Sequence, residues 1–133
     1  MQEWEQVLKG YRALKRLLRR EAERFGFNAA EIQILANLYE GEKNVTQLSK
    51  IIGLGKSTIT EVLDKLEEKG LIKRFRCNND RRVVMVRITE LGIQEYNKVR
   101  EAYREKLDKV IRRTRIDCVL EFFKEIEKEL ENE

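Results

Sequence analysis

The sequence predicts a mainly α-helical fold with a small β-hairpin wing, and three observations support this prediction. Apolar residues recur at helical spacing near both ends of the chain, over residues 3–24 and 93–130. Residues 46–52 and 56–69 form two further helical patterns separated by glycines. Residues 71–77 and 82–88 lie on either side of a turn sequence and have the character of paired strands. This order is that of a winged helix-turn-helix flanked by additional helices.

The first helix is predicted over residues 3–24, and Gly26 ends it. Its apolar residues are spaced by three and four, which fits either an ordinary core helix or a helix that packs against a second copy of the chain. We favour dimerisation because this stripe lies far from the helix-turn-helix. Residues 1–26 are therefore predicted to be an N-terminal dimerisation helix, with the interface residues Trp4, Val7, Tyr11, Leu14 and Leu18.

Residues 27–92 are predicted to form the winged helix-turn-helix. Its first helix begins after Asn28, which can cap the helix while Glu31 reaches back. Thr46 is the expected N-cap of the short helix 46–52. The helix 56–69 should end at Gly70. Its predicted buried stripe comprises Ile59, Val62, Leu63 and Leu66.

Residues 93–133 are predicted to form C-terminal dimerisation helices, and Thr114 is expected to cap the last of them. That helix has a broad apolar face that we expect to point inward. Because 39% of the residues are charged, a single compact globule has limited apolar material, and part of the apolar surface is expected to be buried between subunits. The predicted interface residues of this region are Ile116, Val119, Phe122, Phe123, Ile126 and Leu130.

The charge of the chain is unevenly distributed, although its net value is only +4. Residues 71–87 hold six basic residues against Asp80 alone, a balance of +5. Residues 117–133 hold two lysines against seven carboxylates, a balance of −5. A polyanion would therefore be attracted to the hairpin and repelled by the C-terminal tail.

The composition argues against an enzyme. The chain has no histidine, which is the commonest general base and metal ligand, so no catalytic site, metal site or cofactor is expected. Cys77 and Cys118 are not arranged as a CxxC pair, and two reduced thiols are the simpler interpretation. A redox switch at Cys77 stays open because basic neighbours favour its thiolate. No stretch approaches the roughly 18 apolar residues of a membrane helix, so a soluble, cytoplasmic protein without membrane contact is expected.

The helix 56–69 is the predicted recognition helix. The face opposite its apolar stripe carries small hydroxyl side chains, which allow close approach to bases and phosphates. Its N-terminus carries a partial positive charge that suits phosphate. The alternative is that Ser57 and Thr58 merely cap the helix, but a short helix before it and a basic hairpin after it favour DNA contact. The candidate DNA-contacting residues of the two helices are Thr46, Gln47, Lys56, Ser57, Thr58, Thr60, Glu61 and Lys65.

The hairpin is predicted to contact DNA as well. Arg81 and Arg82 lie at its turn, where an arginine can enter the minor groove. Asp80 can orient one guanidinium through a bidentate pair. The alternative is an exposed surface ion pair of little consequence. Arg74 and Arg76 alternate to one face of the first strand, and we expect them to meet phosphates.

Four runs of the sequence carry a family resemblance: residues 54–60 (LGKSTIT), 63–72 (LDKLEEKGLI), 80–82 (DRR) and 88–92 (ITELG). Together they resemble the MarR (multiple antibiotic resistance regulator) family. The resemblance implies an obligate homodimer with interleaved terminal helices that binds a pseudo-palindromic operator, usually as a repressor. It also implies a small phenolic or other lipophilic effector, since many relatives release DNA when such an anion binds between the lobes and the dimer helices. In that family's terms Arg82 matches the wing arginine and Asp80 its partner.

Glu61 departs from the family pattern, in which arginine or another base-contacting residue often occupies this position. A carboxylate can accept a hydrogen bond from cytosine N4 or repel a phosphate, so the operator sequence stays open. The sequence as a whole predicts a dimeric, sequence-specific double-stranded DNA-binding transcription regulator. Two alternatives stay open: an architectural DNA-binding protein with low sequence specificity, and a protein-interaction module of winged-helix fold.

Overall fold

The computed structural model describes residues 1–133 and has the predicted mainly α-helical fold with a small β-sheet. In chain order its elements are α1 (Glu3–Arg24), α2 (Ala29–Glu40), β1 (Lys43–Asn44), α3 (Val45–Ile52), α4 (Lys56–Glu68), β2 (Ile72–Arg76), β3 (Val84–Ile88), α5 (Glu90–Ile111) and α6 (Ile116–Glu131). The chain forms two compact units, Met1–Arg100 and Glu101–Glu133, with the boundary inside α5. The functional division at residues 26 and 92 stays a prediction. We call α2, α3, α4 and the three strands the winged lobe.

Capping boxes begin α2 and α3. The side chain of Asn28 accepts from the backbone N–H of Glu31 at 2.8 Å, and Glu31 accepts from Asn28 N–H at 2.9 Å, which confirms the predicted cap of α2. In α3 the cap is Asn44, so the prediction of Thr46 was wrong. Gln47 closes the second box from the third helical position, whereas a cap at Thr46 would place a serine there.

The expected cap of α6 was also wrong. Arg115 holds the N-cap position without a side-chain capping bond. The hydroxyl of Thr114 instead lies 3.2 Å from the carbonyl oxygen of Val110 and 3.3 Å from that of Ile111. It therefore adds a second donor to two carbonyl oxygens at the end of α5 that already accept the backbone N–H groups of Arg113 and Thr114.

The wing belongs to a three-stranded antiparallel sheet in the order β1-β3-β2. Strands β2 and β3 pair from Ile72 opposite Ile88 to Arg76 opposite Val84. The sequence predicted this hairpin with longer strands, and it missed β1, whose Lys43 pairs with Val86. Two residues are too few to show the alternation by which a strand is recognised in a sequence.

The core of the winged lobe lies beneath α4. Val62 of the predicted stripe is only half-buried, while its other three members are fully buried. Because one face of α4 supplies these buried residues, its opposite face is left to solvent. The largest fully buried side chains of the first unit are Ile34, Leu35, Leu38, Leu48, Ile59, Leu63, Leu66, Ile72, Val86 and Val99.

A close junction joins the wing to α5. The hydroxyl of Thr89 donates to the carbonyl oxygen of Gly70 at 2.6 Å and accepts from the backbone N–H of Gly92 at 3.0 Å. A Cβ atom at Gly92 would lie 2.1 Å from the carbonyl oxygen of Leu71. Only glycine therefore fits at this position without a shift of the backbone.

The terminal helices bury little within one chain. No residue of α6 is buried, and α1 buries only Glu21 and Ala22 near its C-terminal end. The expectation that the apolar face of α6 points inward is therefore wrong for the single chain. None of the helices combines the length and the apolar character needed to cross a membrane.

Candidate nucleic-acid interface

The exposed face of α4 carries the predicted recognition residues. Gly55 holds the N-cap position, and no side chain caps the first turn. Ser57 and Thr58 are both exposed, so the alternative that they merely cap this helix is wrong. The amide groups and the positive end of the helix dipole at this terminus are therefore available to an anion from solvent.

Thr60 and Glu61 continue this face by one turn. The hydroxyl of Thr60 donates to the carbonyl oxygen of Lys56 at 2.8 Å, so its proton is engaged while its oxygen can still accept a hydrogen bond. Glu61 and Lys65 are exposed. The face thus offers a hydroxyl acceptor, a carboxylate and two lysine ammonium groups to a ligand.

The start of α3 offers a smaller set of polar groups. Thr46 and Gln47 are both exposed. The side-chain oxygen of Gln47 is occupied by the backbone N–H of Asn44 at 2.8 Å. The side-chain nitrogen of Gln47 is a hydrogen-bond donor, the kind of group from which phosphate oxygens accept hydrogen bonds.

The tip of the wing presents an arginine that is braced by a carboxylate. Nε of Arg82 lies 3.1 Å from Oδ1 of Asp80, and a terminal guanidinium nitrogen lies 3.2 Å from Oδ2. The backbone N–H of Arg82 also donates to Oδ1 at 3.1 Å. These bonds lower the pKa of Asp80, the side-chain bond contributing most. The predicted bidentate pair is confirmed, and the Arg82 side chain remains 91% exposed.

Two further arginines of the wing, Arg76 and Arg81, are accessible to solvent. The guanidinium of Arg76 donates to the carbonyl oxygen of Arg81 at 3.2 Å, which links the first strand to the turn. Both side chains are exposed. Arg87 on β3 stacks its guanidinium 5.6 Å from the ring centroid of Phe75. The wing therefore carries its positive charge on exposed side chains, and a hydrogen bond from Arg76 to the turn holds one of them in place.

Arg74 does not share this exposure. It is half-buried and contacts two carboxylates of α4, Glu67 and Asp64. The expectation that Arg74 meets a phosphate stays a prediction, but its guanidinium already has anionic partners. The sequence analysis missed both acidic residues, although their spacing of three places them on one helix face.

All thirteen predicted DNA-contacting residues lie in the first unit, and eleven of them are exposed. The exceptions, Arg74 and Asp80, are half-buried, and each makes an ion pair, Asp80 with the exposed Arg82. Nine of the eleven predicted dimer residues are exposed in the single chain, and Leu18 and Ile116 are half-buried. Both cysteines are free thiols.

A cavity of about 280 Å³ lies in the first unit between the α1–α2 turn and the start of α5. Its walls are largely aromatic and aliphatic, and it carries one ammonium group and one carboxylate at its border. The lining residues are Phe25, Gly26, Phe27, Lys69, Leu71, Leu91 and Glu95.

Comparisons with known proteins are consistent with this geometry. The MarR family model matches residues 27–84. The regulator MhqR of Bacillus subtilis is 33% identical over 104 residues, which cover 77% of this chain and 72% of that protein. The transcriptional regulator BldR of Sulfolobus solfataricus superimposes with a TM-score of 0.75 at 25% identity, over 97% of this chain and 99% of BldR. A mutant of E. coli MarR in complex with operator DNA has a TM-score of 0.72 at 19% identity, over 98% of this chain and 99% of that one, a likeness of fold.

Proposed function

The chain belongs to the MarR family of DNA-binding transcription regulators and is not an enzyme, and from this premise we propose a specific function for it. It binds a pseudo-palindromic operator in double-stranded DNA as a homodimer in the cytoplasm, and it represses transcription there. Each subunit places α4 in a major groove and the wing tip in the adjacent minor groove.

The polarity of α4 is the observation that carries this proposal. Ile59, Leu63 and Leu66 anchor one face of the helix in the core, which holds the opposite face in a fixed position. That face begins with an uncapped N-terminus flanked by Ser57 and Thr58. Backbone amides and small hydroxyls suit phosphates and base edges, and the exposed arginines of the wing add the charge that binds a polyanion.

The exposed apolar faces of α1 and α6 support a homodimer. Both helices expose large apolar residues, among them Trp4 at 61% and Leu130 at 64%. Their charges are complementary, because residues 9–20 hold six basic residues and no acidic one, while residues 117–133 carry a balance of −5. A two-fold axis would place two recognition helices roughly 34 Å apart, which is one turn of B-DNA.

The cavity between the α1–α2 turn and α5 is the proposed effector site. Its apolar walls suit an aromatic or lipophilic molecule, and Lys69 at its border suits an anionic group. Lys69 also holds the buried carboxylate of Glu31 at 3.2 Å, so a competing anion there would disturb the join between α2 and α4. An effector of this kind would favour a population that does not fit DNA.

Substitution of the wing arginine tests DNA binding. Arg82→Ala should weaken binding to an operator fragment selected from the organism's own genomic DNA by about tenfold or more, since it removes a braced cation at the DNA surface. Electrophoretic shift at fixed salt measures the loss, and Arg112→Ala, an exposed arginine of the second unit, is the matched control. Equal affinity of the two variants would contradict the proposed role of the wing.

The same assay separates the alternatives. Equal affinity for operator and random duplex would identify an architectural protein with low specificity. Binding to another protein with no shift of any duplex at low salt would identify an interaction module instead.

A further inference from the structure

Arg74 is the arginine of β2 whose guanidinium is paired with carboxylates. Its Nε lies 3.0 Å from Oε1 of Glu67, and a terminal nitrogen lies 2.8 Å from the same oxygen and 2.7 Å from Oδ1 of Asp64. The side chain is 26% exposed, compared with 91% for Arg82. A guanidinium shared between two carboxylates has little positive charge left to offer a phosphate.

The backbone of Arg74 is held by the same glutamate. Its N–H donates to Oε2 of Glu67 at 3.0 Å. The hydrogen-bonded pairs of β2 with β3 fall on every second residue and leave out the pair of Arg74 with Val86, so this N–H faces away from β3. Because β2 lies at one edge of the sheet, the N–H would otherwise have no partner in the sheet. Glu67 therefore binds both the main chain and the side chain of a single wing residue.

We propose that Arg74 is a positioning residue for DNA recognition: clamped by Glu67 and Asp64, it fixes the wing to the recognition helix so that both elements meet DNA together. The inference rests on the proposed function and assigns Arg74 a role different from phosphate contact. Packing holds the base of the hairpin, where Ile72 is buried, and on β3 it reaches Val86, which lies directly opposite Arg74. The clamp acts two residues further along β2, towards the exposed tip, and sets the direction of the outer part of the wing.

Phosphate contact and positioning of the wing, the two possible roles of Arg74, predict opposite effects of Glu67→Gln on DNA binding. If Arg74 contacts phosphate, Glu67→Gln frees its guanidinium, lowers the negative charge of the interface and strengthens DNA binding. If Arg74 positions the wing, the same change loosens the clamp. It should then weaken operator binding by about tenfold, which corresponds to the loss of one charge-assisted hydrogen bond.

Two further variants make this test specific. Glu68→Gln removes the same charge from an exposed position next in the chain that takes no part in the clamp, so it reports the effect of charge alone and should strengthen binding slightly. Arg74→Lys keeps the charge but loses the forked geometry. A phosphate ligand tolerates this change, whereas a positioning residue does not, and we expect it to weaken binding as much as Glu67→Gln does.

Residual dipolar couplings of the free protein give a readout that needs no DNA. In the wild type, backbone amides of α4 and of residues 74–84 should fit one alignment tensor, since the clamp makes them one body. In Glu67→Gln the amides near the wing tip should depart from that tensor, while Glu68→Gln should leave the fit unchanged.

The outcomes separate this inference from the proposed function. Stronger DNA binding by Glu67→Gln, to the extent seen with Glu68→Gln, would overturn it. Couplings that fit a single tensor in Glu67→Gln would overturn it as well, whether or not DNA is bound. If the wild type binds no DNA, the proposed function fails, and the couplings alone decide whether the clamp orients the wing.

Discussion

In the winged lobe, apolar side chains from three helices and the sheet are buried within one chain, whereas α1 and α6 leave most of theirs in solvent. The lobe includes Leu35, Leu48 and Leu63, each with no exposed surface. The terminal helices include Tyr11 at 55% and Phe123 at 48%. A buried side chain of this size contributes roughly 1.5–3 kcal/mol relative to an exposed one.

The difference indicates where each region obtains its stability. The lobe draws its stability from contacts within the chain, so its free energy of unfolding should not depend on protein concentration. An isolated 16-residue helix is marginal in water, and no residue of α6 is buried in the single chain. Contacts with another surface must therefore stabilise α6. The candidate DNA-binding surface therefore belongs to the lobe, which is stable by itself. In the proposed dimer, the terminal helices would set the spacing of two such surfaces.

The largest expected effect comes from breaking the apolar face of α6. Ile126→Glu places a carboxylate on a face that the proposed dimer buries, and an unpaired buried charge costs several kcal/mol. We expect the variant to sediment as a monomer or to lose helical content at micromolar concentration, as measured by analytical ultracentrifugation and circular dichroism. Lys128→Glu adds a carboxylate to the opposite face of α6 and should leave the dimer intact. A normal dimer in the first variant would show that α6 has another role.

A smaller effect is expected inside the first unit, at the junction with α5. Gly92→Ala forces a Cβ atom to within 2.1 Å of the carbonyl oxygen of Leu71, and overpacking of this kind typically costs about 1–3 kcal/mol. Chemical denaturation should show this loss at every protein concentration.

The same substitution in α1 provides the control for Gly92. Gly10 lies in the helix interior, and an added Cβ would meet no atom within 4 Å. Gly10→Ala should therefore stabilise the protein by about 0.5–1 kcal/mol, since it removes backbone freedom from the unfolded chain. If Gly92→Ala and Gly10→Ala both stabilised the protein, or both destabilised it, the difference between the tightly packed junction and the open helix would be contradicted.

The smallest expected effect concerns pH. Hydrogen bonds from the backbone N–H and the side chain of Arg74 lower the pKa of Glu67. Its folded pKa is thus below its unfolded value of about 4.3, so the ionised carboxylate stabilises the lobe above that value. This contribution is lost as the pH falls through the lowered pKa. Wild type should lose more stability than Glu67→Gln between pH 6 and pH 3 in urea titrations, and parallel curves would exclude the contribution.

The sequence predicted most of the fold because helical periodicity, glycines and turn residues are local signals. It predicted the bounds of α1 and the cap at Asn28, and both are confirmed. It placed the cap of α3 two residues late because Thr46 is an equally good capping type, and only the reciprocal bond with Gln47 identifies Asn44. Strand β1 could not be predicted, since two residues form a strand only where β3 is available to pair with them.

In the candidate site, too, only contacts between residues close in the chain could be predicted. The pair between Asp80 and Arg82 could be predicted because the two residues are close in the chain. The clamp on Arg74 joins residues seven and ten positions apart across the end of a helix and a turn. Its existence depends on the angle between α4 and β2, which the order of residue types does not specify.

The hydrogen bond from the backbone N–H of Arg74 to Glu67 of α4 also protects one edge of the sheet. A row of free backbone groups at a sheet edge is a template on which another chain can add a strand and begin to aggregate. One edge of this sheet is reduced to the two residues of β1, and on the other the free N–H of Arg74 is occupied by a charged side chain. A neighbouring copy of the chain therefore meets a two-residue edge on one side of the sheet and an edge interrupted by Glu67 on the other, and neither edge favours the addition of a strand.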